Sequence, residues 1–134
     1  MAAKREAGVR LILPGVPPSL NKFAGRENSW AYRKEKKQWT ETVMWIANQQ
    51  RRTETPPDFA EVEIVYYFPT RGRHDPDNYA GKFLLDGLTK ARLIKDDDFK
   101  HIALTVRGGY AGKHKPRTEI FVTECERRER YETF

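Results

Sequence analysis

Apolar side chains in this chain recur at two different periods, and the order in which those periods change limits the folds that can bury them. Val9, Leu11 and Leu13 alternate with Arg10 and Ile12 in a short strand that stops at Pro14-Gly15, before the turn-rich run Pro17-Pro18-Ser19-Leu20-Asn21. From about Arg33 to Arg52 the period becomes helical: Trp39, Val43, Ile46 and Ala47 share one side, and Lys34, Lys36, Lys37, Glu41 and Gln50 lie elsewhere on the wheel. Pro56-Pro57-Asp58 breaks this helix, after which Val62, Ile64, Tyr66 and Phe68 alternate with Glu61, Glu63, Val65 and Tyr67 as a second strand. The spacing predicts a second helix from Asp77 through Lys82 and Asp86 to about Lys90, with Ala80, Leu84 and Leu88 on its packed side. Ile102, Leu104 and Val106 predict a third strand and Ile120 and Val122 a fourth, joined through residues 108–116. The β-α-β-α-β-β order predicts an α/β (α+β) two-layer sandwich, both helices packed on one face of a mixed four-stranded sheet.

A chain of 134 residues can bury one modest core, so a single domain over 1–134 is expected, with 1–7 and 126–134 as flexible tails. The net charge of +6 is regional: residues 1–37 hold nine Lys or Arg against three acids, an excess that equals the charge of the whole chain. A localised basic surface favours a polyanionic partner. The single cysteine, Cys125, excludes an intramolecular disulfide and fits a small side chain in a strand. With no apolar run near Met1 and no stretch of membrane-spanning length, a cytoplasmic protein without a membrane partner is expected.

The chemistry concentrates where the second strand hands over to the second helix. In Asp75-Pro76-Asp77-Asn78, Pro76 pushes Asp75 toward an extended conformation, and a turn between the two aspartates lets their carboxylates converge. Asp at a helix start also caps free N–H groups, which accounts for one of the pair more readily than for both. On the predicted helix Lys82 faces away from the core with Asn78 and Asp86, and Asp86 makes its better-ordered pair with Lys90. Asp96-Asp97-Asp98 repel one another unless cations compensate them. Such an acidic turn is common on surfaces. Together with Asp75 and Asp77, however, it offers hard oxygen donors from separate segments, which suits Mg²⁺ or Mn²⁺.

The run from Arg73 to Ala91, the following Ile94-Lys95-Asp96-Asp97-Asp98 and the earlier Pro17-Pro18-Ser19-Leu20-Asn21 resemble, in order, the motifs of RusA-type Holliday junction resolvases. The resemblance implies a homodimer that binds four-way DNA junctions and nicks opposed strands in recombination and repair, with Mg²⁺ and no organic cofactor. It implies metal ligands at Asp75, Asp77 and Asp97 and an essential lysine at Lys82. It also implies a nucleoid-associated protein of bacterial or prophage origin. Some members place the lysine four residues after the second aspartate; here the interval is five.

Phosphate contacts are expected from Lys22, Arg26, Arg33, Lys34, Lys36 and Lys37, from Arg71, Arg73 and His74, and from Lys113, His114, Lys115 and Arg117. Trp30 and Tyr32 are candidates for stacking on open bases or for the core. His74 and His101 lack metal-ligand spacing and read as phosphate or structural contacts. The sheet face that carries Val65, Tyr67 and Phe121 needs cover, which a second subunit would supply. Two other readings remain open: a nuclease of the same fold acting on flaps, forks or RNA hairpins, and a non-catalytic nucleic-acid-binding module.

Overall fold

The computed structural model describes residues 8–23, 29–50, 55–112 and 114–125. The expected tails and the candidate phosphate contacts Arg26 and Lys113 lie outside the described residues. The elements are β1 (Val9–Pro14), α1 (Trp30–Asn48), β2 (Ala60–Phe68), α2 (Leu85–Lys90), β3 (Ile102–Tyr110) and β4 (Arg117–Glu124). Short 3-10 turns at Leu20–Phe23 and Pro76–Asn78 precede the two helices. The sheet has the order β1-β4-β2-β3. β4 runs antiparallel to both β1 and β2, while β2 and β3 are parallel and joined by the crossover that contains α2.

Strand alternation sorts the sheet into two faces, as the sequence predicts. Ala60, Val62, Ile64, Tyr66 and Phe68 of β2, Leu11 and Leu13 of β1, and Ile120 and Val122 of β4 form one buried cluster with Val43 and Ala47 of α1 and Leu84, Leu88, Leu93 and Ile94 around α2. Removing this much apolar surface from water is the main force holding the layers together. The two helices touch closely at Gly87, where an added Cβ would lie 2.6 Å from Val43 Cβ. A smaller cluster, Phe23, Tyr32 and Phe83, fastens the Leu20–Phe23 turn to α1. Tyr32 is therefore core, whereas Trp30 is 68% exposed, with the Lys34 ammonium 4.9 Å from its ring centroid.

Several boundaries differ from expectation for local reasons. α1 begins at Trp30, not Arg33, because the Ser29 hydroxyl accepts the Tyr32 backbone N–H at 3.2 Å and caps the helix there; it ends at Asn48. β3 runs on to Tyr110 through glycines assigned to the link, since the parallel ladder with β2 continues to Phe68. The largest correction concerns the second helix. The chain makes a 3-10 turn over Pro76–Asn78, breaks at Gly81 with φ of 95°, and becomes α-helical only at Leu85. Ala80 is exposed, and the helical wheel that placed Lys82 beside Asn78 and Asp86 does not apply.

The opposite sheet face is partly covered by its own arginines. Glu119 is 4% exposed and accepts from Arg10 at 3.0 Å and Arg117 at 2.7 Å. Arg117 also stacks over Tyr67 at 3.9 Å and Arg10 over Phe121 at 5.7 Å, while Val65 is buried between the strands. Burial pushes the Glu119 carboxyl up, but the hydrogen bonds and charges of Arg117 and Arg10 outweigh it and hold the group below the ordinary glutamate range. Among the described residues no helix is long and apolar enough to cross a membrane.

Candidate active site

Aromatic rings at the end of β2 fix the loop that carries Asp75 and Asp77. His74, just before the pair, stacks flat on Phe68 with ring centroids 3.8 Å apart and an interplanar angle of 4°. Tyr79, just after it, meets Phe68 edge-on at 5.0 Å and lies 5.6 Å from Tyr66. A short segment held at both ends by packed rings has little freedom to wander, as a preorganised site requires. His74 Nε2 is buried without a hydrogen-bond partner among the described residues, beside a small pocket closed by Asp75, Tyr79 and Val106.

Asp75 has the extended backbone expected before proline, with φ of −99° and ψ of 132°. It occupies the cap position of the Pro76–Asn78 turn, yet its side chain makes no capping hydrogen bond there. Its carboxylate instead takes a hydrogen bond from Arg73 Nε at 3.0 Å. Asp77 stands in the first turn, exposed. Helix capping therefore does not account for Asp75, and both carboxylates present themselves at the surface of a fixed loop.

Lys82 is exposed in the turn that follows Gly81. Because the chain bends there and does not run as a helix, the extra residue between Asp77 and Lys82 has no helical register to disturb. Asp86, on the first turn of α2, pairs with Lys36 of α1 at 3.1 Å and not with Lys90 as expected. That ion pair ties the basic helix to the acidic side of the molecule.

After α2 the turn 96–98 gathers its charges. The Asp97 backbone N–H donates to Asp96 Oδ1 at 2.8 Å. The Asp97 carboxyl is held above the ordinary aspartate range by partial burial, by a hydrogen bond with Asp96, and by the nearby charges of Asp96 and Asp86. Asp98 is lowered, chiefly by its hydrogen bond with His101. Among the described residues, one set of three or more His, Cys, Asp or Glu side chains brings its ligating atoms within 4.8 Å of one another, namely Asp96, Asp98 and His101. Asp75, Asp77 and Asp97 are not gathered into such a set. His101, read from sequence as lacking metal-ligand spacing, thus joins the acidic turn; its position three residues after Asp98 was the available signal. Two carboxylate oxygens and an imidazole nitrogen at this spacing are a donor set that a divalent cation can take.

Several candidate phosphate contacts have protein partners. Arg73 holds Asp75, Lys36 holds Asp86, Lys34 lies over Trp30, Arg71 stacks 4.1 Å over Tyr110, and Arg117 is half-buried between Tyr67 and Glu119. Lys22, Lys37, His114 and Lys115 are exposed.

A model of the family described as endodeoxyribonuclease RusA matches residues 14–123, which span the Pro-Pro-Ser-Leu-Asn run, both sides of the Asp75 loop and the acidic turn. No curated protein matches the chain.

Proposed function

The chain belongs to the RusA endodeoxyribonuclease family, and from that premise we propose that it resolves four-way DNA junctions by paired, Mg²⁺-dependent nicking in recombination and repair. The supporting observation is Asp75, a carboxylate at a helix approach that caps nothing, on a loop fixed at both ends by aromatic rings. Although the chain does not gather them into a set as close as Asp96, Asp98 and His101, Asp75, Asp77 and Asp97 would hold the Mg²⁺, with Mn²⁺ as a substitute, and the bound cation would supply polarisation of the phosphodiester and activation of the attacking water. Lys82 projects its ammonium from the turn after Gly81 and stabilises the charge that builds on the phosphoryl oxygens as the bond breaks. Arg73 restrains the Asp75 carboxylate until substrate arrives. Asp86 keeps its Lys36 partner and adds negative potential near Asp97.

Phosphate contacts come from the basic surfaces around α1 and the β3–β4 connection, and they position the junction without reading its sequence. The working form is a homodimer in the cytoplasm, one site facing each of two opposed strands. The deciding experiment incubates the protein with a labelled four-way junction, a linear duplex and a flap, with and without Mg²⁺. Symmetric cuts in the junction that require Mg²⁺ are expected. Preferential cutting of the flap would replace the substrate while keeping the chemistry, and tight junction binding with no cleavage would make the chain a binding module.

A further inference from the structure

Residues 95–101 carry the chain from the buried pair Leu93-Ile94 to Ile102 at the start of β3, and all of them but His101 are exposed. Burial does not shape such a segment, so its hydrogen bonds decide where its side chains stand. On one side of Asp97, the Asp96 carboxylate accepts the Asp97 backbone N–H at 2.8 Å, a local bond of the kind that short polar side chains favour. On the other side, the Asp98 carbonyl accepts the N–H groups of His101 and Ile102, both at 3.1 Å, and the Asp98 carboxylate accepts from His101 Nδ1. His101 is fastened in turn to the sheet: its carbonyl accepts the N–H of Ala60, the first residue of β2, at 3.0 Å, and Ala60 pairs with Ile102 in the parallel ladder. A connected path of hydrogen bonds thus runs from β2 through His101 to Asp98, and the residue before Asp98 is Asp97. A carboxylate only accepts, so Nδ1 carries the hydrogen in its bond with Asp98 and, while that bond stands, has no lone pair for a metal.

We infer that His101 is a positioning residue for Asp97: held to β2 by its own backbone, it grips Asp98 through ring and main chain, and this sets where the adjacent Asp97 carboxylate is presented to the cation. The inference rests on the proposed role of Asp97 as a metal ligand. Loss of a group that orients a metal site from behind its ligands costs about ten- to hundredfold in metal affinity or activity, so the effect belongs to metal dependence more than to DNA binding.

The test is a double-mutant cycle of His101→Phe and Asp97→Asn in the full chain. It is read as Mn²⁺ affinity of the DNA-free protein by electron paramagnetic resonance, as single-turnover cleavage of a labelled four-way junction across a range of Mg²⁺ concentration, and as junction affinity in EDTA. His101→Phe keeps a ring and removes the donor. It is expected to weaken Mn²⁺ binding and to raise the Mg²⁺ needed for half-maximal rate by about tenfold or more, with junction affinity unchanged. In the Asp97→Asn background the same change should have no further effect. His101→Asn, whose amide N–H falls close to the place of the Nδ1 hydrogen, should recover most of the loss, and no recovery overturns the inference. If His101→Phe binds Mn²⁺ and cuts as the parent does, or weakens both backgrounds equally as a ligand in its own right would, His101 does not act through Asp97 and the inference is overturned while the proposed function stands. If Asp97→Asn itself binds Mn²⁺ and cuts normally, Asp97 is not a ligand and the inference falls with that assignment. Should His101→Phe fail to fold, His101→Asn is compared with His101→Gln, which carries its amide one bond farther out. Parent-like metal dependence in the first and a loss in the second supports the inference, and equal behaviour overturns it.

Discussion

Asp77→Asn removes one negative charge from an exposed carboxylate in the Pro76–Asn78 turn and leaves its shape almost unchanged. If that oxygen helps hold a cation, Mg²⁺-dependent cleavage should fall by a factor of a thousand or more, on the order of what losing a principal charge-stabilising group costs. Junction affinity in EDTA should hold or tighten, because repulsion toward phosphate is relieved. Gel-shift and cleavage assays on one preparation check both, and retained cleavage removes Asp77 from the metal ligands. Glu119 offers a test of stability instead. Its carboxyl is lowered from 4.5 in the folded state by Arg117 and Arg10, so it contributes stability above about pH 4.5 that is lost as pH falls through the lower folded value. Glu119→Gln should therefore cost about 1–2 kcal/mol at pH 7. Denaturant midpoints of the two proteins should converge as pH drops below 4.5, and a gap that persists into acid would show that shape, not charge, holds the arginines.

At the scale of elements, the contact between the helices depends on one missing side chain. Gly87 of α2 sits so close to α1 that a Cβ would fall 2.6 Å from Val43 Cβ and 3.1 Å from the Thr40 carbonyl oxygen, neither of which is the end of a flexible side chain. Gly87→Ala gains helix propensity, worth about 1 kcal/mol, yet forces the helices apart at a cost of about 1–3 kcal/mol. Net destabilisation by urea titration is expected; a more stable variant would mean that the crossing relaxes freely. This contact also marks what the sequence conceals. Strand alternation in Val62, Ile64, Tyr66 and Phe68 and the helical spacing of Val43 and Ala47 were legible because one face of each element is buried in a single core. The break at Gly81 was not, because Asn78, Lys82 and Asp86 fit a helical wheel whatever the backbone does, and the positive φ of the glycine between them leaves no mark on that pattern. The ion pair of Asp86 with Lys36 was hidden for a similar reason, since local spacing pointed to Lys90 while the crossing of α1 and α2 supplied a nearer cation. At the candidate site, Asp75, Asp77 and Lys82 were legible as surface-facing groups, but the joining of His101 to Asp96 and Asp98 depends on how the turn folds before β3.

For the whole molecule, the proposed paired nicking would set a requirement that one chain does not meet. Two opposed strands need two sites, and a two-fold dimer presents identical sites to a substrate with matching pseudo-symmetry. The sheet face away from the helices is the surface available for this, with Ile12 47% exposed on β1 and Tyr67 and Phe121 partly covered by Arg117 and Arg10. An arginine stacked on an aromatic ring keeps that ring's apolar surface out of water in the free chain and can remain in place beneath a partner, so the face suits both states. Sedimentation equilibrium at micromolar concentration should give about twice the chain mass of 15.7 kDa. Ile12→Glu, which puts a charge on that face without touching the buried core, should shift the mass toward one chain. It should also convert coupled cuts into independent single nicks, visible as accumulation of nicked junction before linear product. Wild-type protein that sediments as one chain and still releases symmetric linear products would overturn the two-site account, because a single site must then dissociate and rebind between cuts.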